Sequence, residues 1–569
     1  MKNWRFYAFV FFICFVFAII IFRLFTLQIT KHGYYETLAD KQHQDVSSII
    51  PARGGIYMKD KYVSDNSVSS LFPVALTKNL WKIYAAPKEI KEKEEIVYKL
   101  SPLLGINEIE LMEKISIPND SYELLKDKVD EGTAEKIKNL KLKGIGMESE
   151  KWRYFPNNEM ACHLLGFVGY DGDKKVGRYG IEEYYEKELG GKPGKTEVIK
   201  DASGRLTAVG DKILEESEQG ADIVLTIDPN IQFFIEKKLK ETIDKLAAIG
   251  GTIIIMDIKT GAIKGMANWP FFDPNKYNEV KNINIFLNSA TYGLFEPGSI
   301  MKPITMAAAL DKGIINPNTT YEDKGFVNVG DRIIKNYTSK ANGVQTMTQV
   351  LEKSLNTGAV FVQQKMGKDI FREYLEKFGF NDKTGIDLKS ETKGNLSNLK
   401  GDVEYATAAF GQGIAVTPIE IITAFSAIAN DGVLMRPYVV DKIIYKNGKE
   451  EKTEPKEVRR VISSDTASRL TAMMVSVVKN SFDRKASVPG YLIAGKTGTA
   501  QIPDFQKGGY SDQTIHSFGG FFPAYNAKFS VLIKVDEPKG IRFASDSITP
   551  LFRQIAEYLL NYYEIPPSE

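Results

Sequence analysis

At 569 residues the chain is too long for one ordinary domain, and its 43% hydrophobic residues are enough to bury real cores. Lysine plus arginine at 74 nearly cancels aspartate plus glutamate at 72, so no basic field points to nucleic acid. Four histidines (His32, His43, His163, His516) and two cysteines (Cys14, Cys162) lie far apart, without the short spacings zinc needs, and neither a metal nor a cofactor is expected.

The first element is apolar. Phe6 to Phe22 carries no charge and rises roughly 25 Å as a helix, and Leu24 to Leu27 extend it past Arg23, whose stem can snorkel. A cleavable signal has a shorter apolar core and a small-residue cleavage site, which FAIIIFRLFT does not offer, so an uncleaved single span fits better. Lys2 and Arg5 before the run and Arg23 and Lys31 after it leave its orientation open. Cys14 then lies in the span and Cys162 outside it, so no disulfide joins them.

Residues 31–215 follow, with amphipathic helices expected over Lys88–Leu100 and Ser121–Leu142 and glycine-rich turns at 53–57 and 188–195. From Ala221 the texture changes. ADIVLTIDPNIQ reads as a strand and a helix start, and GGTIIIMDIKTGAIKGMANWP as a hairpin. PIEIITAFSAIANDG at 418–432 reads as a helix ended by Gly432, SFGGFFPA and AKFSVLIKVDEP as paired strands, and ITPLFRQIAEYLLNYY as a closing helix. Strands at both ends of this region with helices between predict an α+β fold whose sheet gathers N- and C-terminal pieces.

One stretch, GLFEPGSIMKPIT at 293–305, can carry chemistry. A helix is expected to start at Ser299, and serine there is a common N-cap. Lys302, three residues on, shares its face, so the amine can reach the hydroxyl and, if neutral, accept its proton; Pro303 is tolerated in the first turn. The surroundings are not G-x-S-x-G, which argues against a Ser-His-Asp hydrolase. Spacing alone is weak, since Ser-x-x-Lys occurs four times (Ser299, Ser390, Ser397, Ser476). Lys-Thr-Gly occurs three times (Lys259, Lys383, Lys496), and the first two read as glycine turns. Order is specific: Ser299-x-x-Lys302, then Ser354-Leu355-Asn356, then Lys496-Thr497-Gly498-Thr499 after a short apolar run.

With this ordered set, and with RLFTLQ, PARGGIY, GRYGIEEYYEKELGGKPG, DASGR, LTIDPNIQ, MDIKTGAIKGMANWPFFDPN and FGQGIAVTPIE, the chain resembles a class B penicillin-binding protein over nearly its full length. The resemblance implies a cytoplasmic tip and membrane anchor over 1–30, and a mixed α/β non-catalytic pedestal of the dimerisation type over 31–215. Over 216–569 it implies a transpeptidase domain of the serine β-lactamase kind, an antiparallel sheet flanked by helices, lying outside the cytoplasmic membrane. It implies a peptidoglycan D,D-transpeptidase acting on D-alanyl-D-alanine stem peptides and trapped by β-lactams. Ser299 would be the nucleophile, Lys302 the base, Ser354 a proton relay and Asn356 an orienting group. Lys496, Thr497, Gly498 and Thr499 would bind substrate, and the backbone N–H groups of Ser299 and Thr499 would form the oxyanion hole. A polytopic glycosyltransferase partner is implied as well, and SFGGFFPA leans to the division type. Ser-Leu-Asn in place of Ser-Asp-Asn argues against a β-lactamase, and Glu391, the nearest candidate for a deacylating acid, reads as a solvated loop residue. A D,D-carboxypeptidase or β-lactamase using the same serine, and a non-catalytic β-lactam sensor or division scaffold, stay open.

Overall fold

The computed structural model describes residues 4–31, 44–62, 70–172, 174–199, 212–481, 484–504 and 507–567. DASGR at 201–205, His32 and His43 lie outside them. The chain divides into two units, Met1–Ala52 with Gly190–Gly220, and Arg53–Leu189 with Ala221–Glu569.

The first unit contains the helix Trp4–Phe25, continued by a π-helical turn over Thr26–Thr30. The stretch Ala8–Thr30 is long and apolar enough to cross a membrane, and its large apolar side chains are exposed. That exposure, seen among the described residues, is what a lipid-facing helix requires. The unit also holds a three-stranded antiparallel sheet of Gln44–Ile49, Gly194–Ile199 and Lys212–Glu215.

In the second unit, β1 (Ile56–Met58), β2 (Phe72–Ala85), β3 (Glu123–Val129) and β4 (Ile145–Tyr154) join β5 (Asp222–Leu225) in one mixed sheet, with β1 and β5 parallel. Helices Lys93–Leu104, Glu108–Ile115 and Glu131–Asn139 cover β2 to β4 through a small core of Leu100, Leu111, Leu125 and Ile137. Two sequence expectations change here. The first helix starts at Lys93 and runs to Leu104, ended by Gly105 at φ 63°, with only a 3-10 turn at Pro87–Glu89 before it. Ser121–Leu142 is a strand and then a helix. The buried Leu125 and Val129 stand four residues apart with the charged Lys126, Asp127 and Lys128 exposed between them, a spacing that a strand and a helix share, and Lys128 takes φ 53°.

Most of the remaining chain is built around an antiparallel sheet in which the hairpin 250–269 is joined to the hairpin 494–522 by the strand 529–536 lying between them. Its members are β6 (Gly250–Asp257), β7 (Ile263–Trp269), β9 (Ala494–Pro503), β10 (Tyr510–Phe522) and β11 (Phe529–Asp536), with β11 the central strand; β8 (Val440–Ile444) belongs to the mixed sheet. The expected hairpin and paired strands all form, and β6 meets β11 along its whole length, from Gly250↔Asp536 to Asp257↔Phe529. Both faces are covered, so β6 is apolar on both sides rather than alternating. Ile253 and Ile255 pack with α1 (Pro229–Leu246) and the closing helix Thr549–Tyr562, while Ile254 and Met256 pack with Ile421, Ile422 and Phe425 of the buried helix Pro418–Ala429.

Candidate active site

Pro297 and Gly298, the latter at φ 58°, turn the chain into a 3-10 turn over Gly298–Met301, and the α-helix α2 (Lys302–Asp311) starts only at Lys302. Ser299 therefore stands in a tight turn, not at an α-helical N-cap. Pro303 has no N–H to give to the Ser299 carbonyl in the α-helical pattern, and that oxygen instead takes the Lys302 N–H.

Lys302 is fully buried, and its Nζ lies 2.6 Å from Ser354 O, 2.8 Å from Asn356 Oδ1, 3.0 Å from Ser299 Oγ and 3.2 Å from Ser354 Oγ. The Asn356 Nδ2 donates to Lys335 O at 3.1 Å, which turns the amide oxygen toward Lys302. Burial, and then the charge of Lys496, push the Lys302 amine well below the ordinary lysine range. A neutral amine has two N–H groups and one lone pair. The Ser354 carbonyl and the Asn356 oxygen are pure acceptors and take the two N–H groups, which leaves the lone pair for the hydroxyls. Ser354, at φ 55°, and Asn356 sit where α3 (Met347–Glu352) gives way to α4 (Asn356–Met366).

The third group lies on β9, paired with β10 as Lys496↔Gly519, Thr497↔Phe518, Gly498↔Ser517 and Thr499↔His516. Lys496 is fully buried, donates to Thr497 O at 3.0 Å, and burial lowers its amine to about 7. At Gly498 a Cβ would stand 2.4 Å from Ser517 Oγ and 2.9 Å from Pro297 O, so only glycine lets β9 lie against the Ser299 turn. Thr499 Oγ1 accepts the Ala544 N–H at 3.2 Å. Ser299, Ser354, Asn356, Thr497 and Thr499 face one cleft of about 1120 Å³, and the two lysines lie buried beneath its floor.

Several participants had no signal in the sequence, or only an unassigned one. Gly411 of FGQG gives its carbonyl to the Gly298 N–H at 3.0 Å, and a Cβ on it would stand 2.2 Å from Gly298 O. Glu296, raised by burial, accepts from the Gly413 N–H at 2.9 Å and from the Tyr510 hydroxyl at 3.0 Å. At the rim Arg542 donates to the Tyr337 hydroxyl and lies over the rings of Tyr337 and Phe543, at 4.8 and 5.6 Å. These residues come from segments too far apart in sequence to form a readable motif.

The competing motifs fall away. Lys259-Thr260-Gly261 is a turn held by Asp257, with Gly261 at φ 85°, and Ser476 donates to Glu352 on α3. Glu391 corrects an expectation. It is only 9% exposed and accepts from the Thr384 N–H, the Thr384 hydroxyl and the Gly385 N–H, so it fastens the Lys383-Thr384-Gly385 turn instead of standing in solvent.

Residues 251–557 match the penicillin binding protein transpeptidase domain, and residues 48–225 the penicillin-binding protein dimerisation domain. Stage V sporulation protein D of Bacillus subtilis is 32% identical over 507 residues, covering 87% of this chain and 77% of that protein. The peptidoglycan D,D-transpeptidase FtsI of Buchnera aphidicola is 29% identical over 578 residues, covering 100% of this chain and 96% of that protein. Among solved structures, penicillin binding protein 2X of Streptococcus thermophilus shares the fold with a TM-score of 0.77 at 22% identity, over 91% of this chain and 80% of that one.

Proposed function

Because the chain belongs to the penicillin-binding protein transpeptidase family, as a class B member, we propose that it cross-links peptidoglycan as a D,D-transpeptidase through an acyl-enzyme on Ser299. One observation carries this reading: a fully buried Lys302 amine, both N–H groups engaged, 3.0 Å from the Ser299 hydroxyl.

Ser299 Oγ attacks the carbonyl of the penultimate D-alanine while its proton passes to the Lys302 lone pair. The resulting oxyanion is met by the backbone N–H groups of Ser299 and Thr499, each worth about 3–4 kcal/mol in such a hole. The peptide C–N bond then breaks, and Lys302, through the Ser354 hydroxyl, returns the proton to the departing D-alanine amine. The ester waits for the amine of a neighbouring stem peptide, which attacks the same carbonyl and gives up a proton as Ser299 leaves with one. Thr497 and Thr499 hold the terminal carboxylate, and protonated Lys496 supplies the charge opposite it. A β-lactam opens its ring amide onto Ser299 by the same first step and stays attached, so the acceptor amine is kept out.

The remaining assignments rest on the family matches. We read residues 1–30 as cytoplasmic tip and anchor, 31–215 as pedestal and 216–569 as catalytic domain, supported by matches over 48–225 and 251–557. We read the apolar helix as an anchor in the cytoplasmic membrane, with the catalytic domain outside and a polytopic glycosyltransferase as the partner that supplies uncross-linked strands; its length and composition support the anchor. The full-length match to an FtsI protein supports a role in division.

Labelled penicillin tests the reading on the full chain in detergent. One stable label per chain is expected, and none in Ser299→Ala. A wild-type chain that takes no label overturns the proposal, and label that is released within minutes replaces it with a β-lactamase.

A further inference from the structure

Beside α4, Asp323 is 1% exposed at the end of the strand Thr320–Asp323. Its oxygens accept from the Gly325 N–H (3.0 Å), Asn336 Nδ2 (2.9 and 3.0 Å), the Asn342 N–H (3.1 Å), Asn342 Nδ2 (2.5 Å) and the Thr357 hydroxyl (2.7 Å). All these donors are neutral. Burial raises the carboxyl, and the donors outweigh it and hold it below the usual range, so Asp323 stays ionised without a cation.

Its partners matter by position. Asn336 follows Lys335, whose carbonyl takes the Asn356 amide, and Thr357 follows Asn356 itself. Asn336 and Thr357 are also joined directly, the Thr357 N–H donating to Asn336 Oδ1 at 3.1 Å. Asp323 therefore clamps together the two backbone segments whose neighbouring residues make the Lys335–Asn356 bond. That bond decides whether Asn356 shows its oxygen or its NH₂ to Lys302.

Resting on the roles given above to Ser299 and Lys302, we propose that Asp323 is a positioning residue for acylation, setting the Asn356 amide so that the Lys302 lone pair is aimed at Ser299. With Asn356 loose, one Lys302 N–H loses its acceptor and the lone pair is no longer directed. An oxygen facing an amine stabilises its protonated form and an NH₂ does not, so a loosened Asn356 also makes Lys302 less basic. The other charged group acting on Lys302 is Lys496 from β9, which the change leaves in place.

The experiment measures penicillin acylation of the full chain in detergent across pH. Asp323→Asn puts an NH₂ among donors, and acylation at the pH plateau is expected to slow at least tenfold, with the acidic limb of the profile displaced to lower pH. The double variant Asp323→Asn/Asn336→Asp returns a carboxylate and an amide to the cluster with their roles exchanged, and its rate is expected within threefold of wild type. An unchanged rate, or a slower rate with the limb unmoved and no recovery in the double variant, overturns the inference. Should Asp323→Asn not fold, Thr357→Val removes one donor for a methyl group. A three- to tenfold slowing with the same displacement is then expected, and no change overturns the inference. A wild-type chain that takes no label defeats the proposed function and this inference together; a labelled wild type with indifferent variants defeats the inference alone.

Discussion

The roles proposed for Lys302 and Lys496 need opposite protonation states, the first a neutral amine and the second a cation for a carboxylate. Both are fully buried, and both titrate below the ordinary lysine range. As pH rises, the acylation rate should climb as Lys302 loses its proton, and affinity for the substrate carboxylate should fall as Lys496 passes about 7. A bound carboxylate holds the Lys496 proton, so the alkaline limb of kcat for a D-alanyl-D-alanine substrate should lie at higher pH than that of kcat/KM. Coincident limbs would remove Lys496 from carboxylate binding. The same burial costs stability, with a defined sign. Both folded-state values lie below the unfolded one, so the unfolded chain binds more protons and the unfolding free energy rises with pH up to about 10. Lys302→Met should slow acylation by orders of magnitude and flatten that rise by about 1.4 kcal/mol per pH unit, one proton's worth, wherever the folded amine is neutral and the unfolded one is still charged. Equal slopes in wild type and variant, read from denaturant unfolding, would mean that Lys302 keeps its proton in the folded protein.

Elements bring these residues together by close backbone approach, and glycine marks where. Gly411 sits at φ 82° with its Cβ position 2.2 Å from Gly298 O, and Gly498 has Ser517 and Pro297 in the way. Gly411→Ala should destabilise the fold by about 1–3 kcal/mol through strain alone and slow acylation further by moving the Ser299 turn. A thermal midpoint and a labelling rate equal to wild type would show that the turn relaxes freely. Much of this half was legible in the sequence: the apolar β6 and β7, the Pro418–Ala429 helix, and the order of the three motifs all rest on local composition and spacing. The exceptions share a cause. The shape of the Ser299 turn depends on one absent N–H at Pro303. β3 looked helical because its buried residues stand four apart with charges between them, a spacing that a strand and a helix share. The burial of Glu391 and the clamp at Asp323 depend on partners whose proximity only the folded chain creates.

In the second unit, an ionic junction forms from residues that do not line the cleft. Glu182, fully buried, meets Arg53 at 2.6 Å and Arg153 at 2.5 Å, and Arg53 also reaches Glu186 at 2.7 Å. Burial pulls the Glu182 carboxyl up, and the two guanidinium groups more than offset it. Glu182→Gln leaves those cations under-compensated and should destabilise by about 3–5 kcal/mol. The acylation rate per folded molecule should stay at wild type, and a fall there would make the junction part of the catalytic apparatus. The pairing of β6 with β11 concerns the making of the molecule. A chain emerging residue by residue presents Gly250–Asp257 long before Phe529–Asp536 exists to lie beside it. Until then β6 has an open edge of isoleucines, and β9, which carries Lys496, is separated from it by strands still to be synthesised. A nascent chain stopped after Lys302 and before Phe529 thus holds Ser299 and Lys302 but lacks the strand that joins β6 to β10 and β9. The proposed site is complete only once β11 has been made.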